Sequence, residues 1–245
     1  MTHAIAAAAT PTDPSSLPLV VPRHLGLILD GNRRWAREHG LPVVEGHKYG
    51  YENLRTISDA AFAEGVEYVS AYVFSTENWN RSAEEVKYLM KLLLWVVKHE
   101  LDNFNKHGIR LQTIGSKVRL GKALVKAIHH AEVTTKDNTN GTLLLCLNYG
   151  GQQEIVDAMK RIIEAGTPAE QITPELISQN LYAPGVPPVD LIIRTSGEQR
   201  LSNFMLWEST YSELMFSKTH WPDFSTAELQ EMFVQYSKLQ RRFGS

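Results

Sequence analysis

The feature that most limits the fold of this chain is the alternation of short apolar runs with longer segments of helical period. Residues 24–29 form a compact apolar run bounded by Pro22 and by Asp30-Gly31, which reads as a buried strand. Residues 67–74, 109–114, 142–148 and 189–193 have the same character. Helices are expected at 32–39, 46–64, 83–107, 117–136, 151–165, 173–181 and 226–242. Gly40, Gly65 and Gly108 supply stops, Ser225 an N-cap, and Ser82 with Glu85 a capping box. Repeated strand–helix units without hairpin turns predict an α/β fold in a single domain. Its centre would be a mostly parallel sheet of about six strands flanked by helices.

Composition narrows the function. A formal net charge of −2 leaves no global basic field, so nucleic acid is not an expected partner. Any anionic ligand must be held by a local cluster of Arg and His. The single Cys146 lies inside an apolar run and reads as core; a disulfide framework and a multi-Cys zinc site are excluded. No stretch approaches the roughly 20 apolar residues of a membrane span. Residues 1–22 are rich in Ala, Thr, Ser and Pro without a signal-peptide pattern, and are expected to be a disordered tail ahead of a catalytic domain at 23–245. The expected location is cytoplasmic.

The segment 83–107 is apolar on two faces. Val86, Leu89, Met90, Leu93, Val97, Leu101 and Phe104 form one stripe; Tyr88, Leu92 and Trp95 form a second. One stripe packs on the sheet. The other packs on more protein, on a partner, or lines an apolar cavity, and pattern alone does not choose.

Ligands of open parallel sheets bind beyond the carboxyl ends of strands. The first such end reads Asp30-Gly31-Asn32-Arg33-Arg34-Trp35. A tight turn into a helix start, with two forked cations, suits phosphate oxygens. Asp30 has the wrong sign for phosphate unless a divalent cation lies between them. The plainer alternative is a turn with an N-cap Asp and solvated arginines. A second end, Ser75-Thr76-Glu77-Asn78-Trp79-Asn80-Arg81, combines hydroxyls, a carboxamide, a Trp and an Arg. A third runs from Arg194 through Gly197 and Arg200 to Ser202. Taken together they suggest one crevice for two anionic groups and a metal, with His47 able to donate to the same phosphates. No P-loop, dinucleotide glycine fingerprint or zinc helix is present, and no two Asp residues lie within one helical turn. The adjacent His129 and His130 read as surface or partner contacts.

These segments resemble the cis-prenyltransferase (undecaprenyl diphosphate synthase) family from about His24 to Gly244. The stretches that carry the likeness are DGNRRWA from Asp30, GHKYG from Gly46, FSTENWNR from Phe74, LNYGG from Leu147 and DLIIRTSGEQRLSNFMLW from Asp190. YSELMF from Tyr211, WPDF from Trp221 and the RRFG ending at Gly244 complete it. The resemblance implies a magnesium-dependent condensation of isopentenyl diphosphate with an allylic diphosphate such as farnesyl diphosphate. It implies Asp30 and Glu213 as Mg²⁺ carboxylates, with Asp30 and Asn78 catalytic. Gly31, Asn32, Arg33, Arg34, Trp35 and His47 would serve the allylic diphosphate. Ser75, Thr76, Glu77, Trp79 and Arg81 would form a closing loop, with Glu85 linking it to the following helix. Arg194, Arg200, Leu201 and Ser202 would bind isopentenyl diphosphate. A homodimer and peripheral membrane contact during product release are further implications.

The chain departs from the family pattern at Val43, Ser82, Gln199 and Glu208, where Arg, Pro, His and Gln respectively occur in relatives. Spacing between the loop and Arg110 matches long-chain bacterial enzymes, so a decaprenyl- or undecaprenyl-length carrier for cell-wall sugars is expected. The rival readings are an Asp30-dependent phosphohydrolase, a non-catalytic partner subunit, and a relative making short or branched terpene diphosphates.

Overall fold

The computed structural model describes residues 19–239. Most of the expected tail, the end of the last helix and the RRFG stretch lie outside those residues.

The described strands are β1 (His24–Ile28), β2 (Tyr68–Ser75), β3 (Ile109–Ile114), β4 (Gly141–Tyr149), β5 (Leu191–Arg194) and β6 (Glu213–Phe216). They pair in the order β3-β4-β2-β1-β5-β6, every pairing parallel. The helices are α1 (Asn32–Glu38), α2 (Val43–Ala63), α3 (Ala83–His99), α4 (Leu101–His107), α5 (Lys122–Thr134), α6 (Gly151–Glu164), α7 (Pro174–Gln179) and α8 (Thr226–Ser237). The expected α/β architecture is present, with β6 added at one edge where no strand was read.

Both faces of the sheet are covered, which is why β4 reads as an unbroken apolar run. Leu143, Leu145 and Leu147 point into the larger core with Leu25, Leu27, Ile57, Ile128 and Phe233. Leu144 and Cys146 alternate onto the opposite face with Ile192, Phe204 and Met205. Cys146 is fully buried and its thiol is pushed well up by burial, so it is core, as expected.

Local chemistry explains most boundaries. Ser82 Oγ accepts from Glu85 N, Thr173 Oγ1 from Leu176 N, and Ser225 Oγ from Glu228 N, so each caps its helix. The Glu85 carboxylate turns instead to His47 and Arg81. The segment expected as one helix over 83–107 is broken at Glu100 into α3 and α4. Glu100 is buried and faces Arg55 at 3.6 Å. Helix α5 starts at Lys122 rather than 117, because 115–121 forms a turn against Asn148.

The GHKYG and WPDF stretches position the site without lining its polar part alone. A Cβ on Gly46 would lie 2.1 Å from the carbonyl oxygen of Asn32, so only glycine lets α2 cross the start of α1 this closely. Trp221 Nε1 donates to Gly50 O at 2.7 Å, and Asn53 donates to the carbonyls of Trp221 and Phe224. These bonds fix α2 against the end of the sheet.

Candidate active site

Strand order reverses at β1: the chain runs first to β2 on one side and later to β5 on the other. A crevice opens beyond the carboxyl ends at such a switch point. Ile28 of β1 stands beside Arg194 of β5. The next polar residue on β1's exit is Asp30, and Arg194 Nη2 donates to its Oδ2 at 2.8 Å. Arg34 approaches Oδ1 at 3.2 Å, and Gly31 N donates to the same oxygen at 2.8 Å. Burial alone would raise the Asp30 carboxyl; the hydrogen bond and charge of Arg194, with Arg34, hold it below its ordinary value. Gly31 turns the chain at φ 105°, and a Cβ there would meet Ser196 Oγ and His220 Nδ1. Asp30 does not cap α1: Gly31 is the N-cap and no side chain bonds the helix start.

A second cluster adjoins it. The buried Glu85 accepts from Arg81 Nη1 at 2.9 Å, is hydrogen-bonded to His47 Nε2 at 3.1 Å, and has Arg33 Nε at 3.8 Å. One carboxylate thus gathers two guanidiniums and an imidazole from α1, α2 and the loop after β2. Burial would raise Glu85, but His47, Arg81 and Arg33 hold it low. Burial pulls His47 down, the Glu85 hydrogen bond opposing it only in part.

Three cavities meet here. One polar cavity of about 380 Å³ is lined by Asp30, Gly31, Asn32, Arg33, Arg34, Arg37, His47 and Arg81. Another of about 560 Å³ is lined by Asp30, Tyr72, Ser75, Glu77, Asn78, Arg81, Arg194, Ser202 and Asn203. The third is narrow, about 140 Å³, and runs between α2, α3 and the sheet past Leu54, Leu89, Leu93, Val96 and Phe104. Leu29 and Arg81 line all three, and Asp30 both polar ones. The arrangement can hold two anionic groups side by side, with an apolar chain running from one of them into the protein.

The placement of the expected residues is uneven. Arg194 Nη1 donates to Ser202 Oγ at 2.7 Å, tying β5's end to the loop that follows. Arg200 pairs with Glu198, which also takes Arg34 at 3.4 Å. Arg200, Leu201, Thr76, Trp79 and Trp35 line none of the three cavities. Leu201 packs on the smaller core, and Trp35 packs between His39 and Tyr49. Glu213 is not brought to Asp30 within this chain. It pairs with Leu191, three residues before Arg194, which places it about 10 Å down the sheet at about 3.3 Å per residue. No cluster of three or more His, Cys, Asp or Glu able to hold a metal occurs among the described residues. Of the second stripe on α3, only Leu92 lines the narrow cavity; Trp95 is 47% exposed and Tyr88 lines none. The cavity wall comes instead from Leu89, Leu93 and Phe104 of the stripe expected to pack on the sheet. Sequence reasoning missed Arg37, Tyr72 and Asn203. Asn203 adjoins Ser202 in the same polar loop, but its positive φ and its bond to Glu77 (3.0 Å) are not readable from residue type.

The profile of a family described as "Putative undecaprenyl diphosphate synthase" matches residues 28–244. The chain belongs to this cis-prenyltransferase family. An isoprenyl transferase of Clostridium perfringens is 45% identical over 228 residues, covering 91% of this chain and 90% of the relative. A Thermobifida fusca protein named trans,polycis-polyprenyl diphosphate synthase ((2Z,6E)-farnesyl diphosphate specific) is 44% identical over 94% of this chain and 84% of its own. Among solved structures, lavandulyl diphosphate synthase from Lavandula x intermedia, in complex with dimethylallyl diphosphate, superposes with a TM-score of 0.88. It is 33% identical over 92% of this chain and 99% of that one. The protein is therefore an isoprenyl transferase, and its polar crevice with an apolar annex is the place to seek its chemistry. No described helix is long and apolar enough to cross a membrane.

Proposed function

We propose that this isoprenyl transferase joins isopentenyl diphosphate to an allylic diphosphate, farnesyl diphosphate in the first instance, and repeats the step to give a long cis-polyprenyl diphosphate. The observation that carries this reading is the meeting of two Arg-lined cavities, which share Asp30, with one apolar cavity at Leu29 and Arg81. The allylic diphosphate lies against Gly31, Asn32, Arg33, Arg34 and His47, its hydrocarbon entering the narrow cavity past Leu54 and Leu93. The isopentenyl diphosphate lies against Arg194 and Ser202, with Ser75, Glu77 and Asn78 across from it.

The hard carboxylate oxygens of Asp30, between the two cation clusters, suit Mg²⁺ that keeps its other ligands from water and substrate phosphates. When bound, that ion would neutralise charge on the departing diphosphate. Arg33, Arg34 and Arg81 stabilise the same charge as the allylic carbon–oxygen bond breaks. The isopentenyl double bond then attacks the allylic carbon, a proton leaves C2 of the isopentenyl unit, and diphosphate accepts it. Closure of the 75–81 segment excludes water from the cation.

A homodimer, a cytoplasmic location with peripheral membrane contact at product release, and a role in supplying the cell-wall lipid carrier complete the proposal. The small volume of the apolar cavity, about 140 Å³, favours a second reading in which products are short or branched. Chromatographic sizing of products from labelled isopentenyl diphosphate, with NMR of the new double bonds, separates the two. Cis alkenes of ten or more units support the first reading, and one or two condensations the second. Phosphate release from simple esters without condensation contradicts both.

A further inference from the structure

The segment after β2 is a 3-10 helix over Thr76–Asn80, closed at its start by Ser75 and Asn78 bonding each other's backbone. At three residues per turn, positions three apart eclipse. Ser75, Asn78 and Arg81 therefore form one row, and all three line the crevice. Thr76 and Trp79 form another row, about 120° round the helix, and do not line the crevice. Whatever holds Trp79 from behind sets where Asn78 and Arg81 stand in front.

Three groups hold it. The indole lies edge-on to Phe74 at 4.9 Å. Its Nε1 donates to Asn148 Oδ1 at 2.7 Å. The Asn148 amide is itself fixed, because its Nδ2 donates to the carbonyls of Ser116 and Val118 at 2.8 and 2.9 Å. The guanidinium of Arg119 lies over the indole face, 4.3 Å from the ring centroid. Arg119 has φ 70°, a left-handed conformation uncommon for this residue type, which brings its side chain back over the loop.

We propose that Arg119 is a positioning residue for prenyl transfer: acting through Trp79, it holds the Ser75–Arg81 row against the crevice. This rests on the transferase reading above, but the contact is testable without turnover. The emission of Trp79, taken as the difference between wild type and Trp79→Phe, reports the ring's environment. Arg119→Met is expected to change that emission and its response to farnesyl diphosphate, with an unchanged thermal midpoint because Arg119 is exposed. In steady-state transfer, Arg119→Met is expected to lower kcat about 5-fold, the size of one exposed cation–π contact. KM for isopentenyl diphosphate should hold, and Arg119→Lys should recover part of the loss. In the Trp79→Phe background the same substitution should cost less than in the wild type. Unaltered Trp79 emission in Arg119→Met overturns the anchor whether or not prenyl transfer is the reaction. Additive losses in the double variant overturn it as well, while leaving the reaction itself established.

Discussion

Arg194 ends β5, Asp30 lies two residues past the end of the neighbouring parallel strand β1, and a hydrogen bond of 2.8 Å joins them, the guanidinium almost wholly buried and the carboxylate partly open. The pair sits where strand order reverses, so the fold itself delivers a cation and an anion to one point. Asp30→Asn keeps the side chain's shape and removes the charge that holds both Arg194 and Arg34. It is expected to lower kcat/KM for condensation at least about 100-fold, the scale of losing one preorganised electrostatic group. Circular dichroism should be unchanged. An Asn variant with near-wild-type turnover would place the chemistry elsewhere.

Glu85 is a second such point, gathering His47, Arg81 and Arg33. Glu85→Gln keeps one acceptor but loses the charge. Arg81 and Arg33 then lose the anchor that aims them at the crevice, and His47 loses the partner that favours its protonated form. Weaker binding of inorganic diphosphate, by about 10-fold in Kd, is expected from calorimetry; hydrogen bonds to charged groups are worth about 1.5–3 kcal/mol. Wild-type affinity would show that the cluster is a structural brace.

Leu93, on α3, lines the narrow cavity, whereas Trp95 does not. Leu93→Trp should therefore shorten the product distribution, and Tyr51→Ala, which removes the phenol from the wall, should lengthen it. Leu92→Trp should act like Leu93→Trp but less strongly, since it lies in the second stripe. Product lengths unchanged in all three would separate the cavity from chain growth.

Glu208 faces Glu154, with Tyr149, Cys146 and Arg161 nearby. Burial and the Glu154 charge push its carboxyl up to about 8. Unfolded, it titrates near the ordinary 4.5. Between those values the folded chain holds the extra proton, so stability falls as pH rises through that window and levels off above it. The thermal midpoint should drop from pH 6 to pH 9, and Glu208→Gln should flatten that decline. A wild-type midpoint that rises over the same range would contradict the buried carboxyl pair.

Much of this architecture was legible because the inner strands β1, β4 and β5 are buried along nearly their whole length and several helices carry a capping Ser or Thr or a terminating Gly. The run at 142–148 and the Asp30-Gly31 turn needed no tertiary information. β6 was not legible: Glu213–Phe216 is short, half exposed and borrows its order from pairing with β5. The break at Glu100 was hidden by helical periodicity that continues through it, and only the structure shows the Glu100 carboxylate buried beside Arg55. In the site, residue type announced the cations near Asp30 but not which way they point. Trp79 shares a motif with Asn78, yet the three-residue turn puts them in different rows, and only Asn78 lines the crevice. Glu213 shares a motif with Tyr211 and Ser212, and its strand register carries it away from Asp30.

The most direct test of the central claim is incorporation of radiolabelled isopentenyl diphosphate into butanol-extractable product, with farnesyl diphosphate and Mg²⁺, with and without EDTA, beside Asp30→Asn. The account predicts metal-dependent product in the wild type, abolished by EDTA and nearly absent in the variant. No incorporation by well-folded wild-type protein with any allylic diphosphate, or incorporation indifferent to both EDTA and Asp30, would contradict it.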